Sequence, residues 1–142
     1  MGAPFDLERF VVAQEPVLAG VLEELSDGCK SGHWMWFVFP QLEGLGLSPT
    51  ARFYALSGLE EARSYLAHRV LGPRLRECTQ LVNAVQGRSV HEIFGTPDDL
   101  KFRSSMTLFA DVAGSGSPFA AALARYFRGA ADPATIALLG SR

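Results

Sequence analysis

Cysteine, histidine and charge are all scarce in this 142-residue chain, and each shortage removes a class of function. Cys29 and Cys78 are the only cysteines, far apart and in no C-x-x-C pair. With Cys78 on the apolar side of an expected helix they suggest no disulfide framework, and a reduced, cytoplasmic protein fits best. The three histidines, His33, His68 and His91, stand in no H-E-x-x-H arrangement, so no metal site is expected. Thirteen Lys and Arg face fifteen Asp and Glu, a net charge of -2. Without a general basic field there is nothing to condense on a phosphate backbone, and nucleic acid is not expected as a partner. No uninterrupted apolar run approaches the roughly 20 residues of a membrane span. The opening Met1-Gly2-Ala3-Pro4-Phe5-Asp6 lacks the basic region and apolar run of a signal peptide, and Asp6 stands where a myristoylation signal wants Ser or Thr. A soluble protein with no membrane partner is therefore expected. Phosphate-loop and nucleophile-elbow patterns are missing as well, and Gly114-Ser115-Gly116 lacks the third glycine and the strand of a dinucleotide fingerprint, so no cofactor is implied.

Apolar residues are not scarce. They make up 48% of the chain against 20% charged, far from the composition of disordered segments. A chain of this length is most simply one domain over residues 1–142, able to bury roughly 70% of its unfolded surface. The densest apolar block is Gly32-His33-Trp34-Met35-Trp36-Phe37-Val38-Phe39-Pro40-Gln41, which holds both tryptophans. Residues 34–39 have the length and aromatic content of a strand, but no second strand is available to pair with it. Its backbone groups would be left unpaired, so a short helix or irregular segment buried between helices is expected. A small two-stranded ribbon with residues 11–14, or with the loop after Leu42, is the alternative.

Helix punctuation is legible elsewhere. A cap residue followed by proline occurs at Ser48-Pro49, Thr96-Pro97, Ser117-Pro118 and Asp132-Pro133, each reading as N-cap and first helical residue. Asp6 is placed to cap a first short helix, and Pro16 to open a second that carries Val17, Leu18, Val21, Leu22 and Leu25 and stops at Gly28. Ser57-Gly58-Leu59-Glu60 and Ser89-Val90-His91-Glu92 match capping boxes. Leu71, Leu75, Cys78, Val82 and Val85 recur at helical spacing. Phe102, Met106, Phe109 and Ala113 do the same on a helix whose Asp98 and Asp99 suit its positive end. Phe119, Leu123, Tyr126 and Phe127 form one more inward face. The sum is an all-α domain of about seven or eight short helices packed around the aromatic segment.

Two places set polar groups against this scaffold. His33 abuts the aromatic block, where an imidazole is either a satisfied core-edge residue or an acid, base or hydrogen-bond donor to a ligand. On the helix after Thr96, a 100-degree step turns Lys101, Ser104 and Ser105 away from the Phe102 face, with Asp111 near Ser104. A lysine, two hydroxyls and a helix N-terminus can hold an anion; the plain alternative is a solvated face with an Asp99–Arg103 ion pair. Neither serine has a base beside it, so a nucleophile is not encoded.

The blocks His33 to Gln41 and Asp99 to Phe109, with Phe10 to Gln14, Leu71-Gly72-Pro73-Arg74-Leu75 and Ile93-Phe94-Gly95, resemble the bacterial family of unknown function numbered 1810 over nearly the whole chain. That resemblance implies a single, mainly helical domain and supplies no reaction. The label calpastatin, often attached to such proteins, does not transfer, because calpastatin inhibitory segments are disordered and polar whereas this composition encodes a core. Phe10-Val11-Val12-Ala13-Gln14 is faintly similar to a run in the NADAR proteins of ADP-ribose and riboflavin metabolism, which tilts the expectation toward a nucleotide-like ligand.

Two functions follow. In the first, a small anionic, nucleotide- or phosphate-like molecule is bound, or transformed, in one concave site formed by His33, Trp34, Trp36 and Gln41 with Lys101, Ser104 and Ser105. In the second, the chain is a non-catalytic protein-interaction module. One geometric consequence is already fixed: if the block is helical, Trp34 and Trp36 point some 200 degrees apart and one of them belongs to the core.

Overall fold

Serine hydroxyls and carboxylates start several of the helices. In the computed structural model, which describes residues 5–140, the order is α1 Glu8–Gln14, α2 Leu18–Asp27, α3 Met35–Val38, α4 Pro49–Tyr54, α5 Leu59–Ala67, α6 Leu71–Ala84, α7 Val90–Phe94, α8 Asp98–Ala113, α9 Pro118–Phe127 and α10 Pro133–Gly140. Ser48 and Ser117 each accept a bond from the backbone N–H three residues on, with proline at the first helical position. Ser89 and Glu92 complete a reciprocal capping box on α7. Asp132 does the same office for α10, taking the Thr135 N–H at 3.1 Å and its hydroxyl at 2.6 Å. Gly28 ends α2 with a φ of 70°, a conformation in which a Cβ would be strained. The fold is all-α among the described residues, with ten helices rather than seven or eight, of which α3, α4 and α7 are one turn or little more.

Three expected caps are displaced. Asp6 lies one residue before the Leu7 cap position of α1 and bonds no helix N–H. The cap of α5 is Gly58, so Ser57 is one residue early; instead the Glu61 carboxylate reaches back to accept the Ser57 N–H at 2.8 Å. The Thr96–Pro97 peptide is cis, and the Thr96 hydroxyl donates to the Asp99 carboxylate rather than accepting from α8. Likewise α2 begins two residues after Pro16, because residues 15–17 make a turn closed by the Val17 N–H on the Gln14 carbonyl.

The aromatic block forms the single turn α3, not a strand. Its neighbour segment makes the one β-bridge among the described residues, Leu42 with Leu56. Trp34, Met35, Val38 and Phe39 are buried while Trp36 and Phe37 are half-buried. Phe39 meets Phe102 edge to face at 5.1 Å, and Phe94 stacks on Phe102 at 4.7 Å, tying α3, α7 and α8 into one aromatic cluster. Behind it, Gln14 is buried in α1 and donates to the Phe37 carbonyl at 2.7 Å and the Tyr65 hydroxyl at 3.1 Å, satisfying groups that would otherwise be orphaned in the core.

Helix α8 lies at the centre, in contact with α5, α7, α9 and α10. Only part of its expected polar face is solvated: Asp111 is exposed and Lys101 half-buried, but Ser104, Ser105 and Thr107 are buried along with Phe102, Met106, Leu108 and Phe109. Two of the three hydroxyls return a hydrogen bond to their own helix, Ser104 to the Leu100 carbonyl at 3.2 Å and Thr107 to that of Arg103 at 2.8 Å, while that of Ser105 has no partner. Nor do Asp99 and Arg103 pair. Asp99 turns back to Thr96 and His91, while Arg103 donates to the carbonyls of Ala130 and Ala131, both at 3.0 Å. The closest approach to backbone is at the start of α6, where a Cβ on Gly72 would sit 2.1 Å from the Leu66 carbonyl oxygen.

Candidate functional site

The seam between the aromatic block and α8 is built from alternating charges and indoles. Trp34 donates its indole N–H to Glu24 at 3.0 Å, and the same carboxylate oxygen accepts the N–H groups of Ser31 at 2.7 Å and Gly32 at 2.9 Å. The Lys30 ammonium stands 4.9 Å from the Trp34 ring centre and 2.8 Å from Asp98. Asp98 also faces Lys101 at 3.6 Å, and Lys101 lies 5.3 Å over the Trp36 ring. Each cation over an indole contributes on the order of 0.5–1 kcal/mol. Of the residues expected at one site, Trp36 and Lys101 are therefore brought into contact, while Trp34 joins through Lys30 and Asp98.

The others go elsewhere. Gln41 lines, with Trp36 and Tyr54, a cavity of about 10 Å³, no larger than a single water needs. His33 is exposed rather than set against the block, because residues 32–33 form a bend that carries it into solvent. The single Ser104 hydroxyl proton is shared between the Leu100 carbonyl and the Asp132 carboxylate, the latter at 3.0 Å, and so helps dock α10. Ser105 is buried with its hydroxyl unpaired. None of the described cavities is lined by His33, Trp34, Lys101, Ser104 or Ser105.

Glu24 gives the seam a pH dependence. Burial alone would raise its carboxyl, but the bonds from Gly32, Ser31 and Trp34, with Lys30 nearby, outweigh it and hold the value below the usual carboxylate range. The folded state thus binds the proton more weakly than the unfolded chain. The stabilisation is complete above the ordinary carboxylate value and is lost as pH falls through the lowered folded one. Urea unfolding followed by tryptophan fluorescence should show stability falling with acid over that window in the native protein, with a shallower fall in Glu24→Gln. Identical profiles would mean that the triple acceptor is energetically idle.

The largest of the described cavities, about 470 Å³, is elsewhere. It is an open cleft whose walls are Arg63, Leu66 and Ala67 of α5, Arg76 of α6, Val112 and Ala113 at the end of α8, and the start of α9 at Ser117 and Pro118. Two arginines line it and no acidic residue does. The Arg76 guanidinium is steadied 5.6 Å over the Phe119 ring, and Arg63 pairs only with exposed Glu60 on its own helix. The positive end of α9 adds to the field. Arg63 is also a wall of a neighbouring cavity of about 390 Å³ with Gly58, Leu59 and Leu139. Sequence reading misses both arginines, since each reads as an ordinary surface charge among others on its own helix and only the turn at His68 brings the helices together. That turn is itself held by His68, whose Nδ1 accepts the N–H groups of Val70 and Leu71 at 3.1 and 3.2 Å. Cys78, on the inner face of α6, is no nucleophile: burial pushes its thiol up to about 12.

The family described as "Protein of unknown function (DUF1810)" matches residues 4–139. Among solved structures, the crystal structure of the conserved hypothetical protein Rv1873 from Mycobacterium tuberculosis is similar at 62% identity and a TM-score of 0.95, over 97% of this chain and 99% of that one. No curated protein matches the chain.

Proposed function

Since the chain belongs to the DUF1810 family, whose description assigns it no reaction, we propose a function from geometry: it binds a small molecule bearing a phosphate or carboxylate, seated in the Arg63–Arg76 cleft. The observation that carries this is a cleft with two arginines and no acidic residue in a protein whose net charge is -2. Arginine offers the planar fork that matches a carboxylate or phosphate oxygen pair. Leu66, Val112 and Pro118 supply an apolar wall for the rest of the ligand, and the volume lies within the usual range for small-molecule sites. Binding rather than catalysis is proposed because the lining holds no titratable acid or base beside its one hydroxyl, and that hydroxyl, on Ser117, is engaged with the Ala120 N–H. The expected location, between the aromatic block and Lys101, gives way to this one because the seam there is occupied by its own ion pairs.

Thermal shift against nucleotides, ADP-ribose, NAD, flavins and sugar phosphates is the direct experiment, since a ligand at 100 times its Kd adds about 2.7 kcal/mol of stability. Arg76→Ala and Arg63→Ala should each weaken a hit by about tenfold or more, the worth of one charged hydrogen bond, with little change in the unliganded melting temperature. Lys101→Ala should leave it unchanged. The reverse pattern, loss on Lys101→Ala alone, would return the ligand to the seam and sink this assignment.

A further inference from the structure

Between α1 and α4 runs a second groove, of about 390 Å³, that no part of the anion-binding reading uses. Val12 and Phe53 stand on it 63% and 57% exposed, the only large apolar side chains so exposed that share one cavity among those described. Ala13 and Tyr54 make the floor. Scattered exposed apolar residues are ordinary, but two facing each other across a groove are not solvated without cost. Phe53 is also held in place: its ring rests on Tyr54 at 4.8 Å and its carbonyl accepts from Arg9 Nε at 2.8 Å. A preorganised aromatic loses little entropy when a partner covers it.

The charges at the groove select the partner. Asp6 and Glu8 line it, and neither carboxylate has a cationic partner among the described residues. Arg9 lines it too, yet its charge is already committed to Glu61 and to the carbonyls of Asp6, Phe53 and Ala55. The groove is therefore apolar with an acidic rim. We infer that it docks a short basic segment of another protein, with a bulky apolar side chain between Val12 and Phe53 and flanking Lys or Arg residues on Asp6 and Glu8. A second copy fits poorly, because a two-fold interface through this face would set one acidic pair against its twin. An anionic lipid surface is repelled by the same two carboxylates.

A phage-displayed library of short random peptides, panned on the intact protein, is the probe. The expected outcome is enrichment of sequences in which Lys or Arg flanks a bulky apolar residue, with the enrichment lost on Phe53→Ser, a surface change that leaves the far-UV circular dichroism intact. A synthetic peptide from that set should bind about tenfold more weakly to the Asp6→Asn/Glu8→Gln protein, and its affinity for the native protein should fall with added salt. Peptides without basic residues, equal binding to the Phe53→Ser protein, or no enrichment at all would each overturn the inference. So would self-association abolished by Phe53→Ser, which would give the groove to a second copy.

Discussion

Glu61→Ala is expected to lower the free energy of unfolding by about 3–5 kcal/mol in a urea titration, the cost of stripping one partner from a buried ion pair. Glu61 and Arg9 meet at 3.1 Å with side chains only 5% and 12% exposed. The loss is more than one contact. Arg9 spreads its remaining donors over the Asp6, Phe53 and Ala55 carbonyls, and the second oxygen of Glu61 takes the Ser57 N–H, so the pair joins α1, α4 and the start of α5. Removing the carboxylate leaves a largely buried guanidinium without its counter-charge. The contrast is Glu60, one residue earlier, whose pair with Arg63 is 78% and 55% exposed; Glu60→Ala should change stability by less than about 1 kcal/mol. Equal effects from the two substitutions would show that the buried pair is no stronger than the surface one.

That pair also shows where the sequence was legible and where it was not. Caps are local chemistry, so Ser48, Ser89, Ser117 and Asp132 announce their helices correctly, and the apolar spacing of Leu71, Leu75, Cys78 and Val82 gives the inner face of α6. Ser57 fails by one residue because the competing acceptor, Glu61, is equally local and wins the N–H. Helix α8 fails for a different reason. A two-letter reading counts serine and threonine as polar and expects them outside, yet a hydroxyl bonded to the carbonyl four residues back presents little unpaired polarity. Such residues can face a neighbouring helix, and on α8 four neighbours surround them. His33 fails because sequence adjacency to Trp34 says nothing about the bend between them. The arginine cleft and the Val12–Phe53 groove are invisible for a shared reason: each is made by residues distant in sequence, which only the assembled helices set side by side.

Phe102→Ala is expected to cost about 3–5 kcal/mol, a large part of the roughly 5–15 kcal/mol that holds a domain folded, and to lower Tm by on the order of 10 °C or more. Phe102 is fully buried, and its ring touches those of Phe39 at 5.1 Å, Phe94 at 4.7 Å and Phe127 at 6.4 Å. Those partners belong to the aromatic block, α7 and α9, so no single helix can close the void by moving inward. Each ring pair adds about 0.5–1.5 kcal/mol beyond area burial, which places the effect toward the upper end. Phe102→Leu keeps most of the volume and should cost markedly less, because the cavity term shrinks while the ring-pair term is still lost. Trp34 reports the change directly, since it lies 6.2 Å from Phe39 and its emission senses loosening of that ring before global unfolding. If alanine and leucine prove equally damaging, shape rather than volume governs this junction. If alanine costs under about 1 kcal/mol, α3, α7 and α9 are not organised on Phe102 at all.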